Sequence, residues 1–271
     1  MADKSELNTR RKIVAELGPG DSLGTGISAL LSGAEKYIAF DVVRHSNSAR
    51  DLKIFQELVK LFRNKCSIPG DDEFPELKPK LSSYDFPAYL FKRDRLDYLL
   101  KPDRLRRIMN SVLMPNGRQS LIRYCVPWSG TTPHMQGIIN MIYSQAVLEH
   151  VDKLVELYNC MHRWLASDGF LSHQIDFKCH GTSDQWNGYW KHSDFLWALM
   201  RGKRPYLINR EPYSTHRNLL QLHDFRIVYE KKYTSSNLLM RKKLCSRFQN
   251  ISDDDLITSG AFIQATKKGQ L

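Results

Sequence analysis

The stretch Glu16-Leu17-Gly18-Pro19-Gly20-Asp21-Ser22 constrains the fold more than any other, because it joins the apolar run Ile13-Val14-Ala15 to a helical pattern of Leu23, Ile27, Leu30 and Leu31. Glycines at a strand-to-helix junction permit a tight turn and let a ligand lie against bare backbone. Gly33-Ala34 closes the helix ahead of a second apolar run, Tyr37-Ile38-Ala39-Phe40, and Asp41 follows it. Strand, glycine turn, helix, strand and an acidic residue about twenty positions on make a nucleoside-binding βαβ unit, whose carboxylate can accept hydrogen bonds from ribose hydroxyls. The loop departs from the dinucleotide pattern G-x-G-x-x-G. Pro19 separates Gly18 from Gly20, Gly24 falls one position late, and Glu16 and Asp21 place carboxylates where a pyrophosphate needs positive or neutral surroundings. A cationic ligand that carries a ribose suits such a loop better.

S-adenosylmethionine, with a sulfonium and an amino group, is a ligand of that kind. Four segments carry a resemblance to the class I S-adenosylmethionine-dependent methyltransferases: E-L-G-P-G-D-S-L-G-T from Glu16, A-F-D-V-V-R from Ala39, I-Y-S-Q-A-V-L-E-H-V from Ile142 and G-F-L-S-H-Q-I-D-F from Gly169. They spread over roughly residues 12 to 177. Within the class the chain resembles methyltransferase-domain proteins of bacterial capsule and lipopolysaccharide synthesis. The resemblance implies an α/β fold: a doubly wound, mostly parallel seven-stranded sheet of Rossmann-like type, with a helical insertion after the second strand. It implies S-adenosyl-L-methionine as donor and S-adenosyl-L-homocysteine as product. By the same likeness Glu16, Gly18, Pro19, Gly20, Asp21 and Ser22 hold the methionine part of the donor and Asp41 takes the ribose. Val126 and Pro127 line the adenine, and Ser144, Gln145 and Ala146 complete the donor site. Many relatives have a carboxylate near the third strand for the adenine amino group. This chain has none between Gln119 and Gln136, so that contact falls to backbone or to another part of the chain.

At 271 residues the chain can bury a substantial core, and 1–271 is expected as one domain. No apolar run approaches the length of a bilayer span, so no transmembrane segment is expected. Met1-Ala2-Asp3-Lys4-Ser5-Glu6 is polar and does not read as a secretory signal, which predicts a cytoplasmic protein. Five cysteines without a C-x-x-C pair make neither a disulfide framework nor a zinc site. The formal charge of +11 is uneven: residues 201–271 hold 14 Lys or Arg against 6 Asp or Glu, a balance of +8. A solvated face accounts for such an excess. So does attraction to an anionic acceptor, whether a nucleotide-linked sugar, a phosphorylated glycan, nucleic acid or an acidic membrane surface to which the protein would bind peripherally.

Between about residues 46 and 118 amphipathic stretches near 54–62 and 96–114 flank a Pro-rich interval with Pro69, Pro75, Pro79 and Pro87, which reads as a largely helical insertion or lid. Regular alternation then returns. Strands are expected at 120–124, 138–143 and 170–175, with a helix from Val151 that ends near Asp168-Gly169. Residues 178–212 form an aromatic, acceptor-side segment. A helix near 213–222 and strands at 225–229 and 260–265 complete the chain.

Ligands of a doubly wound sheet bind beyond the carboxyl ends of its strands. For O-methylation the enzyme must align the acceptor and remove its proton, and His150, after the fourth strand beside Glu149, is the first candidate base. Glu149 and His150 can equally brace the following helix. His173 and Asp176 are the second catalytic set. With His180 they can be written as a metal pattern, H-x-x-D-x-x-x-H, but chance explains such loose spacing and no metal is expected. Glu149, Trp190 and Arg210 are the candidate acceptor-binding residues. Trp186, Tyr189, Trp190 and Trp197 would give a stacking wall or simply core, and Arg210 a bidentate grip on phosphate or carboxylate. The expected acceptor is a small molecule or glycan. An RNA-directed methyltransferase is the alternative, although Ser144-Gln145-Ala146-Val147 lacks the Asn/Asp-Pro-Pro-aromatic element common in base-directed enzymes. A non-catalytic donor-binding partner subunit is the third reading.

Overall fold

The computed structural model describes residues 12–91, 93–128, 135–204 and 207–269 together with Leu7, with Arg93 and Asp94 described by backbone alone. The amino-terminal Met1–Glu6, read above as no secretory signal, lies outside the described residues. Seven strands follow in chain order: β1 (Ile13–Leu17), β2 (Lys36–Phe40), β3 (Ile122–Cys125), β4 (Ile139–Gln145), β5 (Leu165–Asp176), β6 (Phe225–Thr234) and β7 (Thr258–Lys267). They form one sheet in the order β3-β2-β1-β4-β5-β7-β6. β1 runs parallel to β2 and β4, and β2 parallel to β3. β7 lies between β5 and β6 and pairs antiparallel with β6. This is the mostly parallel, seven-stranded Rossmann-like sheet that the resemblance implied. β1 and β2 are short and buried almost throughout, as strands covered on both faces must be.

The chain divides into two compact units, residues 1–143 with 163–170, and residues 144–162 with 171–271. In the first, helices α1 (Gly24–Leu31), α2 (Ser48–Asn64), α3 (Arg93–Leu99) and α4 (Pro102–Leu113) accompany the strands. Leu23, Ile27, Leu30 and Leu31 pack with Val14 and Tyr37, and Phe55 of α2 and Ile108 and Val112 of α4 join the same core. The insertion after β2 is thus helical at its ends. Its middle differs from the expectation: residues 65–87 hold turns and bends without a helix or strand, anchored where the rings of Phe62, Phe86 and Phe91 meet. Pro102 supplies no backbone N–H and divides the stretch read as 96–114 into α3 and α4.

The second unit contains most of α5 (Leu154–Trp164), then α6 (Asp194–Arg201), α7 (Tyr213–Leu222), α8 (Ser246–Gln249) and α9 (Asp253–Ile257). α5 ends four residues sooner than its periodicity predicts, and β5 begins at once with Leu165. Trp164-Leu165-Ala166 satisfies a helical or an extended pattern, and strand pairing decides: the Ile138 N–H donates to the Trp164 carbonyl at 3.1 Å, and a Cβ on Gly169 would stand 2.8 Å from the Ile139 carbonyl oxygen. Edge strand β6 carries Arg226, Glu230, Lys231 and Lys232, charges that discourage pairing with another chain. Among the described residues no helix is long and apolar enough to cross a membrane, and none of the five cysteines is in a disulfide.

Candidate functional site

At the carboxyl end of β1 the chain turns through Gly18 at φ +63° and Gly20 at φ +67°, left-handed conformations that suit glycine. The Gly18 N–H donates to the Phe40 carbonyl at 2.8 Å, tying the turn to the end of β2. α1 has no side-chain cap of its own. Instead the Leu23 N–H donates to Asp51 Oδ1 at 3.0 Å, from a carboxylate on α2 that is 1% exposed. Burial holds the Asp51 carboxyl above its ordinary range, against the Leu23 hydrogen bond and the charge of Arg50. Arg50 donates to the carbonyls of Asp21 and His45. The glycine turn is therefore pinned from α2. Sequence reasoning missed Asp51 and Arg50 because they sit in a stretch assigned to the insertion.

Glu16, next to last in β1, is nearly buried, and Tyr37 Oη donates to its Oε2 at 2.5 Å. Burial pushes the Glu16 carboxyl up to about 7; Tyr37, Tyr143 and Thr25 oppose the rise and the charge of Asp41 adds to it. Gly26 makes the contact with Tyr37 feasible, since a Cβ there would lie 2.1 Å from the Tyr37 ring. Asp41, also nearly buried, accepts the Val42 N–H on Oδ1 at 2.7 Å, while its backbone bonds Cys125 and Trp128. The first unit thereby places Glu16, the turn Gly18 to Ser22, Asp41, and Val126 and Pro127 at or next to the ends of three adjacent strands.

In the second unit Ser144, Gln145 and Ala146 face β5. Ser144 Oγ lies 2.8 Å from His173 Nδ1, Gln145 Nε2 donates to Gln174 Oε1 at 3.0 Å, and the Ala146 N–H donates to the Gln174 carbonyl at 3.0 Å. Ala146 is exposed at φ +52°, an unusual conformation for a non-glycine residue. His173 is 2% exposed, and burial, aided by His216, lowers its imidazole to about 3. It is a neutral, sealed partner of Ser144 and is not assembled with Asp176 and His180.

Those two residues meet Glu149 and His150. A short 3-10 turn, Leu148–His150, follows β4. One ligand-capable atom each of Glu149, His150 and His180 lies within 4.8 Å of the others, and the two imidazole centroids are 5.3 Å apart. Glu149 is 1% exposed; its Oε1 accepts the Asp176 N–H at 3.3 Å, and its Oε2 is buried without a hydrogen-bond partner. Burial drives its carboxyl up to about 8, with the charge of Asp176 adding to the rise. Asp176 Oδ2 is 3.7 Å from His180 Nε2, and its Oδ1 accepts the Lys178 N–H. The turn is clamped by Asn209: its Nδ2 donates to the Leu148 and Val151 carbonyls, each at 2.8 Å, and its N–H to the Glu149 carbonyl at 2.7 Å. Asn209 and His180 are the residues that sequence reasoning undervalued here.

The aromatic segment is core. Trp190 is fully buried, stacks on Phe248 at 5.0 Å and donates from Nε1 to the Arg210 carbonyl at 3.1 Å. Trp186, Tyr189 and Trp197 are buried with it. Arg210 is 1% exposed at φ +68°, its guanidinium donating to the carbonyls of Tyr189 and His192 and to Asp194. Neither Trp190 nor Arg210 presents the open surface that a stacking wall or a phosphate grip needs. An open cavity of about 550 Å³ is bordered by Arg210 itself, by Arg201, Lys203, Arg204 and Arg247, and by the carboxylates of Asp152, Asp194 and Glu211.

No protein-family model matches the chain, and no curated protein matches it. Solved structures do. An S-adenosylmethionine-dependent methyltransferase from Mesorhizobium loti aligns over 97% of this chain and 95% of its own at 12% identity and a TM-score of 0.48. YcgJ from Bacillus subtilis aligns over 99% and 97% at 10% identity and 0.46. Phosphoethanolamine N-methyltransferase 2 of Haemonchus contortus, in complex with S-adenosyl-L-methionine, aligns over 98% of this chain and 50% of its own at 10% identity and 0.47. The fold assignment rests on the strand order and directions of the chain itself.

Proposed function

We propose that the chain is an S-adenosylmethionine-dependent methyltransferase that methylates an oxygen on a sugar or phosphate-bearing group in bacterial surface polysaccharide synthesis. The observation that carries the donor assignment is the first unit's arrangement, two left-handed glycines closing β1 and a nearly buried aspartate closing β2. The donor, when bound, supplies a methyl group already activated by the sulfonium. Backbone from Gly18 to Ser22 would hold its amino-acid part, and the Asp41 oxygen not taken by Val42 would accept from the ribose. Val126 and Pro127 would flank the adenine.

On the acceptor side His150 would align or deprotonate a hydroxyl, a reading supported by the hold of Asn209 on the turn that carries it. Oxygen as the methylated atom and polysaccharide synthesis as the setting rest on the resemblance of the four segments. An anionic acceptor is supported by the +8 balance of residues 201–271 and by the basic residues lining the open cavity, among which Lys203 and Arg204 are exposed. Arg210 borders that cavity from a nearly buried position, and Trp190 donates to its carbonyl. Calorimetry with S-adenosylmethionine and S-adenosylhomocysteine tests the donor reading. Wild type should bind both and Gly18→Val neither, because a β-branched residue at φ +63° strains the turn. No heat from either nucleoside with wild type would sink the assignment.

A further inference from the structure

The metal pattern legible in the sequence, His173, Asp176 and His180, is not what the chain assembles, because His173 turns to Ser144. Two residues of the turn after β4 stand in its place. We propose that Glu149, His150 and His180 form a binding site for one first-row divalent cation of the zinc or cobalt kind.

Their ligand-capable atoms already lie within 4.8 Å of one another. Bonds of roughly 2.1 Å place neighbouring ligands about 3 to 4 Å apart, so closure asks for a small movement, most simply of the exposed His180. A second observation is independent of that proximity. Glu149 Oε2 is sealed from solvent without a hydrogen-bond partner, an unfavourable state for a buried polar atom unless something meets it. The other oxygen is already oriented by the Asp176 N–H. Asp176 also stands 3.7 Å from His180 Nε2, the carboxylate-to-imidazole contact that commonly orients a ligating histidine. Asn209 supplies the remaining support, fixing the turn that carries two of the three ligands.

Two imidazole nitrogens and one carboxylate oxygen suit borderline first-row ions, whereas magnesium and calcium favour oxygen donors. Three protein ligands leave a coordination position open, as catalytic sites do. With an ion bound His150 is a ligand, and the open position would align an acceptor oxygen. That role rests on the methyl-transfer reading; the binding of the ion does not.

The test uses tag-free, chelator-stripped protein without any donor. Cobalt(II) should bind at one equivalent per chain, produce visible d–d absorption and be displaced by zinc. Glu149→Gln, close to isosteric, should weaken cobalt affinity by at least about tenfold. Because Glu149 is buried and its variant could misfold, His180→Asn is the second arm: asparagine tolerates the left-handed φ of +46° at an exposed position. It should weaken cobalt binding by a similar factor while the melting temperature without metal stays at the wild-type value. No stoichiometric cobalt spectrum, or one that survives unchanged in folded His180→Asn, overturns the site.

Discussion

Replacing Glu16 by Gln should make the protein more stable at neutral and alkaline pH, although it removes a residue at the heart of the glycine turn. The carboxyl is nearly buried, and its pKa rises from 4.5 to about 7, chiefly through burial. The folded state therefore holds this proton more tightly than the unfolded chain does. Stability from the group is fully present below pH 4.5, where both states are protonated, and falls as pH rises to about 7, where only the unfolded state has long been ionised. At about 1.36 kcal/mol per pH unit the loss across that window is on the order of 3 kcal/mol. Gln keeps the shape and an oxygen for Tyr37 Oη and does not titrate. Denaturant unfolding of wild type and Glu16→Gln from pH 4 to 9 isolates the group, since all other titrations cancel in the difference. That difference should be constant below pH 4.5, climb in favour of the variant by on the order of 3 kcal/mol up to pH 7, and then level off. A flat difference, or a climb in favour of wild type, would refute the reasoning. The carboxyl carbon resonance of Glu16, titrating near 7 in the folded protein, gives a direct second reading.

Gly26→Ala should destabilise the protein by at least about 1 to 3 kcal/mol, because the new methyl meets the Tyr37 ring at 2.1 Å; Tyr37→Leu in the same chain should recover part of the loss in a thermal-melt cycle. Asp51→Asn should weaken donor binding and stability together by roughly 1 to 2 kcal/mol, measured by calorimetry and melting, since it weakens a buried charge-assisted bond to the start of α1. Asn209→Ala should lower turnover while leaving donor affinity at the wild-type value, because it removes the two side-chain bonds that tie Leu148 to Val151 around the Glu149-His150 turn and touches no bond of the glycine loop. Acceptor affinity should fall as salt rises and fall further in Lys203→Ala/Arg204→Ala, with donor affinity changing less, because exposed charges are screened over roughly 8 Å at physiological ionic strength. Salt-independent acceptor binding would leave the basic tail as a solvated face.

The parallel half of the sheet was legible because its strands are short, apolar and buried on both faces, so Ile13–Leu17 and Lys36–Phe40 declare themselves without tertiary information. The places of Gly18, Gly20 and Asp41 were legible for a related reason: each follows an apolar strand, and the two glycines adopt the left-handed conformations that such a turn needs. The α5 to β5 boundary was not, since Trp164-Leu165-Ala166 serves either period and only the neighbouring strand resolves it. Composition misdirected the reading of the aromatic segment. Tryptophan and arginine suggest carbohydrate and phosphate contacts when exposed, but Trp190 and Arg210 form one buried unit in which the indole donates to the arginine's own carbonyl.

The acceptor-side cluster escaped for a different physical reason. Spacing along one loop grouped His173 with Asp176 and His180, yet His173, inside β5, turns to Ser144, while Asp176 is the strand's last residue and His180 lies four positions beyond it. The partners of His180 come from another loop altogether, and what brings them within reach is Asn209, an uncharged residue some thirty positions further on. Its side chain ties Leu148 to Val151, so the turn presenting Glu149 and His150 is held by a segment that also buries Arg210. Ile208-Asn209-Arg210 is thus a structural hub whose arginine bonds within the buried aromatic residues and whose asparagine holds the Glu149-His150 turn. Sequence reasoning singled out the arginine by its resemblance; the turn proposed to meet the acceptor is held by its neighbour.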